Sequence, residues 1–136
     1  MITIKRPDDF AKMARAGRVV AEIHRVLREA AVPGVRLDEL DRMAAEIIRR
    51  RGAMPSFLNY HGYPAHVCLS PNDVIVHGIP DDRRMEEGDI LSVDAGAIIE
   101  GWHADAALTF GVGEISPEAA RPAPNGGMTP ACRNAR

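Results

Sequence analysis

Apolar side chains between residues 7 and 31 recur at Phe10, Met13, Gly17, Val20, Ile23, Leu27 and Ala30. The spacing is close to the helical period, with Pro7 suited to a first turn and Pro33-Gly34 beyond the end. It predicts an amphipathic helix with one face turned to a core. His24 falls beside that stripe and is expected at its boundary or on the surface. Residues 37–51 repeat the pattern through Leu40, Met43, Ala44, Ile47 and Ile48, and close on Arg49-Arg50-Arg51 and Gly52. This predicts a second helix with a cationic last turn and a glycine C-cap. The arginine run matches a helix C-terminus and needs no nucleic acid to explain it.

From Ala53 the period changes. MPSFLNYHGYPA is rich in Pro, Tyr and Gly, HVCLS reads as a short strand, Pro71-Asn72-Asp73 as a turn, and VIVHGIP follows with His77 at a strand end. Residues 81–88 read as a solvated loop. Residues 90–99 and 102–110 are strand-like, and Glu100-Gly101 between them fits a two-residue hairpin loop in which glycine supplies a positive φ. Helices first and sheet afterwards predict an α+β architecture.

That loop sets a register in which Ile99 faces Trp102, Gly96 faces Asp105 and Asp94 faces Ala107. Asp94 and Asp105 then share a face as diagonal neighbours, roughly 7–8 Å apart at the backbone, and Gly96 leaves room beside Asp105. Two facing carboxylates repel and must be neutralised by a proton, by Arg or Lys, or by a metal cation. The hairpin contains no Lys or Arg. A divalent cation is the sharpest reading; a solvated hairpin face carrying two exposed acids is the plain one.

Length and charge narrow the classes further. A chain of 136 residues is one domain at most, and a net charge of −2 gives no electrostatic reason to expect nucleic acid or anionic membrane as a partner. Two cysteines, Cys68 and Cys132, form no disulfide framework. MITIKRPDDF has no apolar signal region and no run reaches membrane-spanning length, so a soluble, cytoplasmic protein is expected. From Ser116 the text turns to Pro, Gly, Ala and Arg without a hydrophobic period. Residues 1–118 are therefore expected to form one unit, and residues 119–136 a disordered tail of the kind a reading-frame change produces.

YHGYPAHVCLSPNDVIVHGIPDD, followed by EGDILSVDAGAIIEGWHADAALTF, resembles the N-terminal half of bacterial type I methionine aminopeptidases. The resemblance covers about residues 1–118. The paired aspartates alone mark only the wider superfamily, whereas YHGYP and VHGIP at this spacing point to the narrower family. It implies half of a pita-bread fold, two helices followed by an antiparallel sheet. It also implies a hydrolase that removes the initiator methionine of nascent proteins when the second residue is small and uncharged, by way of a pair of divalent cations such as Co, Fe, Mn or Zn. Asp94 and Asp105 would be metal ligands, with Asp105 bridging. His77 would be the catalytic histidine bonded to substrate near the scissile amide. Tyr60, Tyr63 and Cys68 would line the methionine pocket, where aromatic faces and a soft thiol suit a thioether. The N-terminal methionine of nascent peptides would be the ligand, with the ribosome a further partner.

The family completes its site with one histidine and two glutamates from the second half of its fold, and a further histidine there assists catalysis. No histidine follows His103 here, and Glu114 and Glu118 are the only acids after Asp105. A truncated homologue is expected, binding cations weakly and inactive alone. The competing readings are a non-catalytic module that binds peptide N-termini and an inert gene fragment.

Overall fold

A computed structural model describes residues 4–120. The chain runs through helix α1 (Pro7–Ala30), helix α2 (Leu37–Arg50), a two-residue strand β1 (Met54–Pro55), a short 3-10 turn (Tyr60–Gly62), and strands β2 (Val67–Pro71), β3 (Ile90–Ile99) and β4 (Trp102–Gly111). Two helices followed by an antiparallel sheet is the predicted order. The part of the expected tail from residue 121 onward lies outside the described residues.

Each helix begins where a carboxylate satisfies a free backbone donor. The Asp9 carboxylate accepts from the Arg6 N–H at 2.8 Å, with Pro7 in the first turn, and Glu39 accepts from the Arg36 N–H at 3.2 Å. The first turn of α2 has further partners in the stretch expected to be a solvated loop. Leu37 N–H donates to the Arg83 carbonyl and Asp38 N–H to the Asp81 carbonyl, while Met85 exchanges backbone bonds with Gly34 and Val35. Residues 81–85 are thus a strap that caps α2. They bury Met85 to 1% exposure, a role their charged sequence conceals.

The sheet is centred on β3, with β1 and β2 antiparallel along one edge and β4 antiparallel along the other. Its helix-facing side carries Leu91, Val93, Ala95 and Ala97 of β3 and Phe110 of β4. These pack with Val19, Val20, Ile23 and Leu27 of α1 and Leu40, Ala44, Ile47 and Ile48 of α2 in one core. Phe10, expected in the α1 stripe, is 58% exposed, and the buried positions are Ala16, Val19, Val20, Ile23, His24 and Leu27. That series keeps the i, i+3, i+4 rhythm but includes His24, which sequence reasoning places at the boundary. The fold buries it because α1 lies across both β3 and β4, widening the covered face beyond the apolar stripe.

VIVHGIP forms no strand. His77 has a left-handed backbone at φ 56°, which breaks the extended run, and Ile75 and Val76 are exposed. Val74 N–H donates to the Pro71 carbonyl at the end of β2 at 3.0 Å, and Gly78 bonds to the body of that strand, accepting from Leu69 N–H at 2.9 Å and donating to Ser70 Oγ at 3.1 Å. Its backbone approaches so closely that an added Cβ would lie 2.1 Å from the Leu69 oxygen, so glycine is required there. Among the described residues, no helix is long and apolar enough to cross a membrane.

Candidate metal and substrate site

The hairpin has the register its sequence implies: Ile99 pairs with Trp102, Gly96 with Asp105 and Asp94 with Ala107. Both loop residues have positive φ, 50° at Glu100 and 79° at Gly101, the combination of a type I′ turn whose twist matches the strands. Glutamate is an unusual choice for the first of these positions. Its carboxylate is held by Arg15 and by Lys12, the latter at 3.2 Å, so α1 grips the turn.

Asp94 and Asp105 project from the face opposite the helices. Directly across β3 from Asp94, on β2, stands Cys68, so the thiol and the carboxylate share one row of the sheet. Sequence reasoning identified both residues but not their pairing, because strand order cannot be read from spacing alone. The space above Gly96 is not left open beside Asp105 as expected. A Cβ at Gly96 would come within 2.8 Å of Ser56 Cβ and 3.0 Å of the Phe57 ring, so the glycine admits the segment that follows β1.

These residues border one cavity of about 500 Å³. Tyr60, Tyr63, Cys68, His77, Asp94 and Asp105 all line it, together with Phe57, His61, Gly62, Pro64 and Ile79. Tyr60 is 66% exposed and forms a rim. Tyr63 lies deeper. Its hydroxyl shares its one proton between the carbonyls of Val67 at 3.1 Å and Gly78 at 2.9 Å, tying the Tyr60–Gly62 turn to β2 and to the His77 segment. With its hydroxyl so committed, Tyr63 presents its ring to the cavity, and burial pushes its phenol above the ordinary tyrosine range. His77 is exposed at the mouth. His61, to which the sequence analysis gives no role, sits in a left-handed conformation with its ring edge-on to Tyr60 at 4.4 Å. Positive φ values at Asn59, His61 and Gly62 shape the turn that sets this exposed residue on the cavity wall.

The electrostatics concentrate on Asp94. Burial and the neighbouring Asp105 carboxylate push its carboxyl up to about 6, against an ordinary value of 3.8, with His77 acting in the opposite direction. Its Oδ1 is buried with no hydrogen-bond partner among the described residues. Burial likewise pushes the Cys68 thiol up, the Tyr63 hydroxyl partly offsetting it. An orphaned carboxylate oxygen beside a second carboxylate suits a hard cation, so the pair fits metal binding. Two carboxylates do not make a closed cage, and no group of three His, Cys, Asp or Glu side chains among the described residues could hold a metal.

A second carboxylate constellation, missed at the sequence level, is structural. Asp41 of α2 accepts from the backbone N–H groups of His66 and Val67 at 2.8 and 3.0 Å and pairs with His66 Nδ1 at 2.9 Å. It fixes the start of β2 and hence the height of Cys68.

Residues 11–123 match the family described as Metallopeptidase family M24. The chain is 54% identical over 105 residues to methionine aminopeptidase 1 of Mycobacterium tuberculosis, covering 76% of this chain and 40% of that protein. It is 48% identical over 122 residues to a methionine aminopeptidase of Clostridium acetobutylicum, covering 89% and 49% respectively. The crystal structure of methionine aminopeptidase from Rickettsia prowazekii superposes with a TM-score of 0.84 at 35% identity, over 87% of this chain and 48% of that one. The chain therefore spans about half the length of the curated relatives it matches. Two helices backed onto a sheet, a hairpin carrying paired aspartates and a family match over most of the residues agree: the chain belongs to metallopeptidase family M24.

Proposed function

We propose that this chain provides the methionine pocket and two of the metal-binding carboxylates of a cytoplasmic methionine aminopeptidase, which removes N-terminal methionine from peptides. The observation that carries the reading is the convergence of Asp94 and Asp105, paired by the hairpin register, with His77, Tyr60, Tyr63 and Cys68, marked by the family resemblance, on one cavity.

In this reading Asp94 and Asp105 hold a divalent cation, Mn²⁺, Fe²⁺, Co²⁺ or Zn²⁺. When bound, the metal supplies Lewis acidity and a water acidic enough to be deprotonated near neutral pH. The remaining roles belong to the chain. Tyr60, the Tyr63 ring and Cys68 enclose the thioether side chain, an apolar and polarizable wall for a polarizable guest. His77, at the cavity mouth, donates a hydrogen bond to the peptide beside the scissile amide and so aligns it. Asp94 must lose its proton for the cation to enter, which ties binding to pH near 6.

With two protein carboxylates, cation binding by this chain is expected to be weak and completed by water, and hydrolysis by the chain alone is expected to be negligible. The test is a Met-Ala-Ser peptide titrated into the ¹⁵N-labelled chain with Mg²⁺ as the diamagnetic cation. Shifts confined to residues 57–63, 68, 77–79, 94 and 105, reduced in Asp105→Asn, are expected. A peptide that perturbs another surface, or binds equally after chelation and in Asp105→Asn, would overturn the reading.

A further inference from the structure

His24 lies in the C-terminal third of α1, on the core side, 8% exposed. Its Nε2 lies 2.9 Å from the carbonyl oxygen of Ala106, the residue after Asp105. A carbonyl can only accept, so Nε2 carries the proton and the ring is fixed as the Nε2–H tautomer. Nδ1 is buried and has no protein partner among the described residues. The single directional bond of this side chain is therefore spent on the backbone of β4 beneath Asp105. β4 pairs only with β3 among the described strands, and Asp105 itself is exposed. A strand held along one edge is the part of a sheet most free to twist or fray.

We infer that His24 is a positioning residue for the carboxylate pair: from the opposite side of the sheet it pins Ala106 and so fixes the backbone that aims Asp105 at Asp94. It works with the α1 grip on Glu100, so one helix holds β4 at its turn and again six residues further along the chain. Packing alone does not explain a histidine here. Leucine would fill a similar volume, would leave no unpartnered Nδ1, and would escape the burial that depresses the His24 pKa. A group that serves only stability would be improved by that exchange, whereas a group that serves position would not.

The two roles predict opposite signs, and the inference rests on the proposed cation site for only one of its readouts. In His24→Leu the urea midpoint is expected to stay level or rise. Amide hydrogen exchange at Asp105, Ala106 and Ala107 is expected to accelerate by about tenfold while Val93 and Ala95 of β3 stay unchanged. Mn²⁺ affinity, read by water-proton relaxation, is expected to fall by about fivefold, less than the loss for a group hydrogen-bonded to a metal ligand's own side chain. His24→Gln, whose amide N–H can reach the same carbonyl, is expected to restore both. ¹⁵N chemical shifts of the wild-type ring should report Nε2–H. Unchanged exchange at residues 105–107 in His24→Leu, or failure of glutamine to rescue it, overturns the positioning role. Faster exchange with no Mn²⁺ binding in the wild type would sustain the pinning of β4 and instead overturn the cation site. A His24→Leu chain with a lowered urea midpoint and uniformly faster exchange would show a packing residue and also overturn the inference.

Discussion

The helix-facing side of the β3–β4 hairpin and the carboxylate-bearing side are made of alternate residues of the same two strands, so backbone, twist and register are common to both. On one side Leu91, Val93, Ala95 and Phe110 are buried in a continuous apolar core. On the other, Asp94 carries a buried oxygen without a partner, and a neighbouring carboxylate opposes its ionisation. The difference teaches where stability and chemistry reside: the first face holds the molecule together, and the second is tolerated because the first does so. Sites that keep like charges together are strained in just this way.

The contrast breaks most visibly on the apolar side. Leu27→Ala removes a fully buried side chain of α1 and is expected to destabilise the fold by about 3 kcal/mol, seen as a lower urea midpoint. Gly78→Ala drives a methyl into the Leu69 carbonyl and is expected to destabilise by about 2 kcal/mol. It should also move the His77 segment away from the cavity, visible as shift changes from Ile75 to Ile79.

On the carboxylate side the sign reverses. The Asp94 carboxyl is raised in the folded state, so its contribution to stability is fully present below about pH 3.8 and is lost as pH rises through about 6. Asp94→Asn is therefore expected to stabilise the chain at pH 8 by about 1–2 kcal/mol and to flatten its stability between pH 4 and 8, while abolishing cation binding. Wild-type Mn²⁺ affinity should tighten over the same interval as Asp94 ionises. Burial of His24 acts with the opposite sign over this interval, so the comparison with Asp94→Asn isolates the carboxyl: a stability difference between the two chains that does not widen from pH 4 to 8 would contradict the raised Asp94. The smallest effect belongs to the turn: Glu100→Asn loses exposed ion pairs but gains a residue suited to positive φ. It should leave the urea midpoint nearly unchanged.

How much of this was legible in sequence depends on how local the signal was. The two helices and the hairpin register follow from short-range period and loop length, and the register of Asp94 with Ala107 needed nothing else. The clustering of Tyr60, Tyr63, Cys68 and His77 could not be read from periodicity. It came from motif resemblance, since the loops that carry Tyr60, Tyr63 and His77 follow no period and the strand that carries Cys68 does not reveal its neighbour. Most of what stayed hidden was non-local. Residues 81–85 look solvated until α2 supplies their partners, VIVHGIP looks like a strand until the left-handed His77 interrupts it, and His24 looks peripheral until β4 is laid across it. For residues 81–85 and for His24 the environment was set by an element far away in sequence, where spacing carries no information, whereas VIVHGIP is interrupted by the backbone of His77 itself.

That distance also governs when the fold can form. The contacts of α1 with Glu100 and Ala106 span 85 and 82 residues, whereas α1 with α2 and β3 with β4 are each neighbours in the chain. During synthesis at ≈ 5–20 residues per second, α1 therefore waits roughly 4–17 s after it is made before its sheet exists. Through that interval Val20, Ile23 and Leu27 have only α2 to cover them. The nascent helical pair is a natural client for holding chaperones, and the yield of folded chain should depend on how fast the hairpin follows.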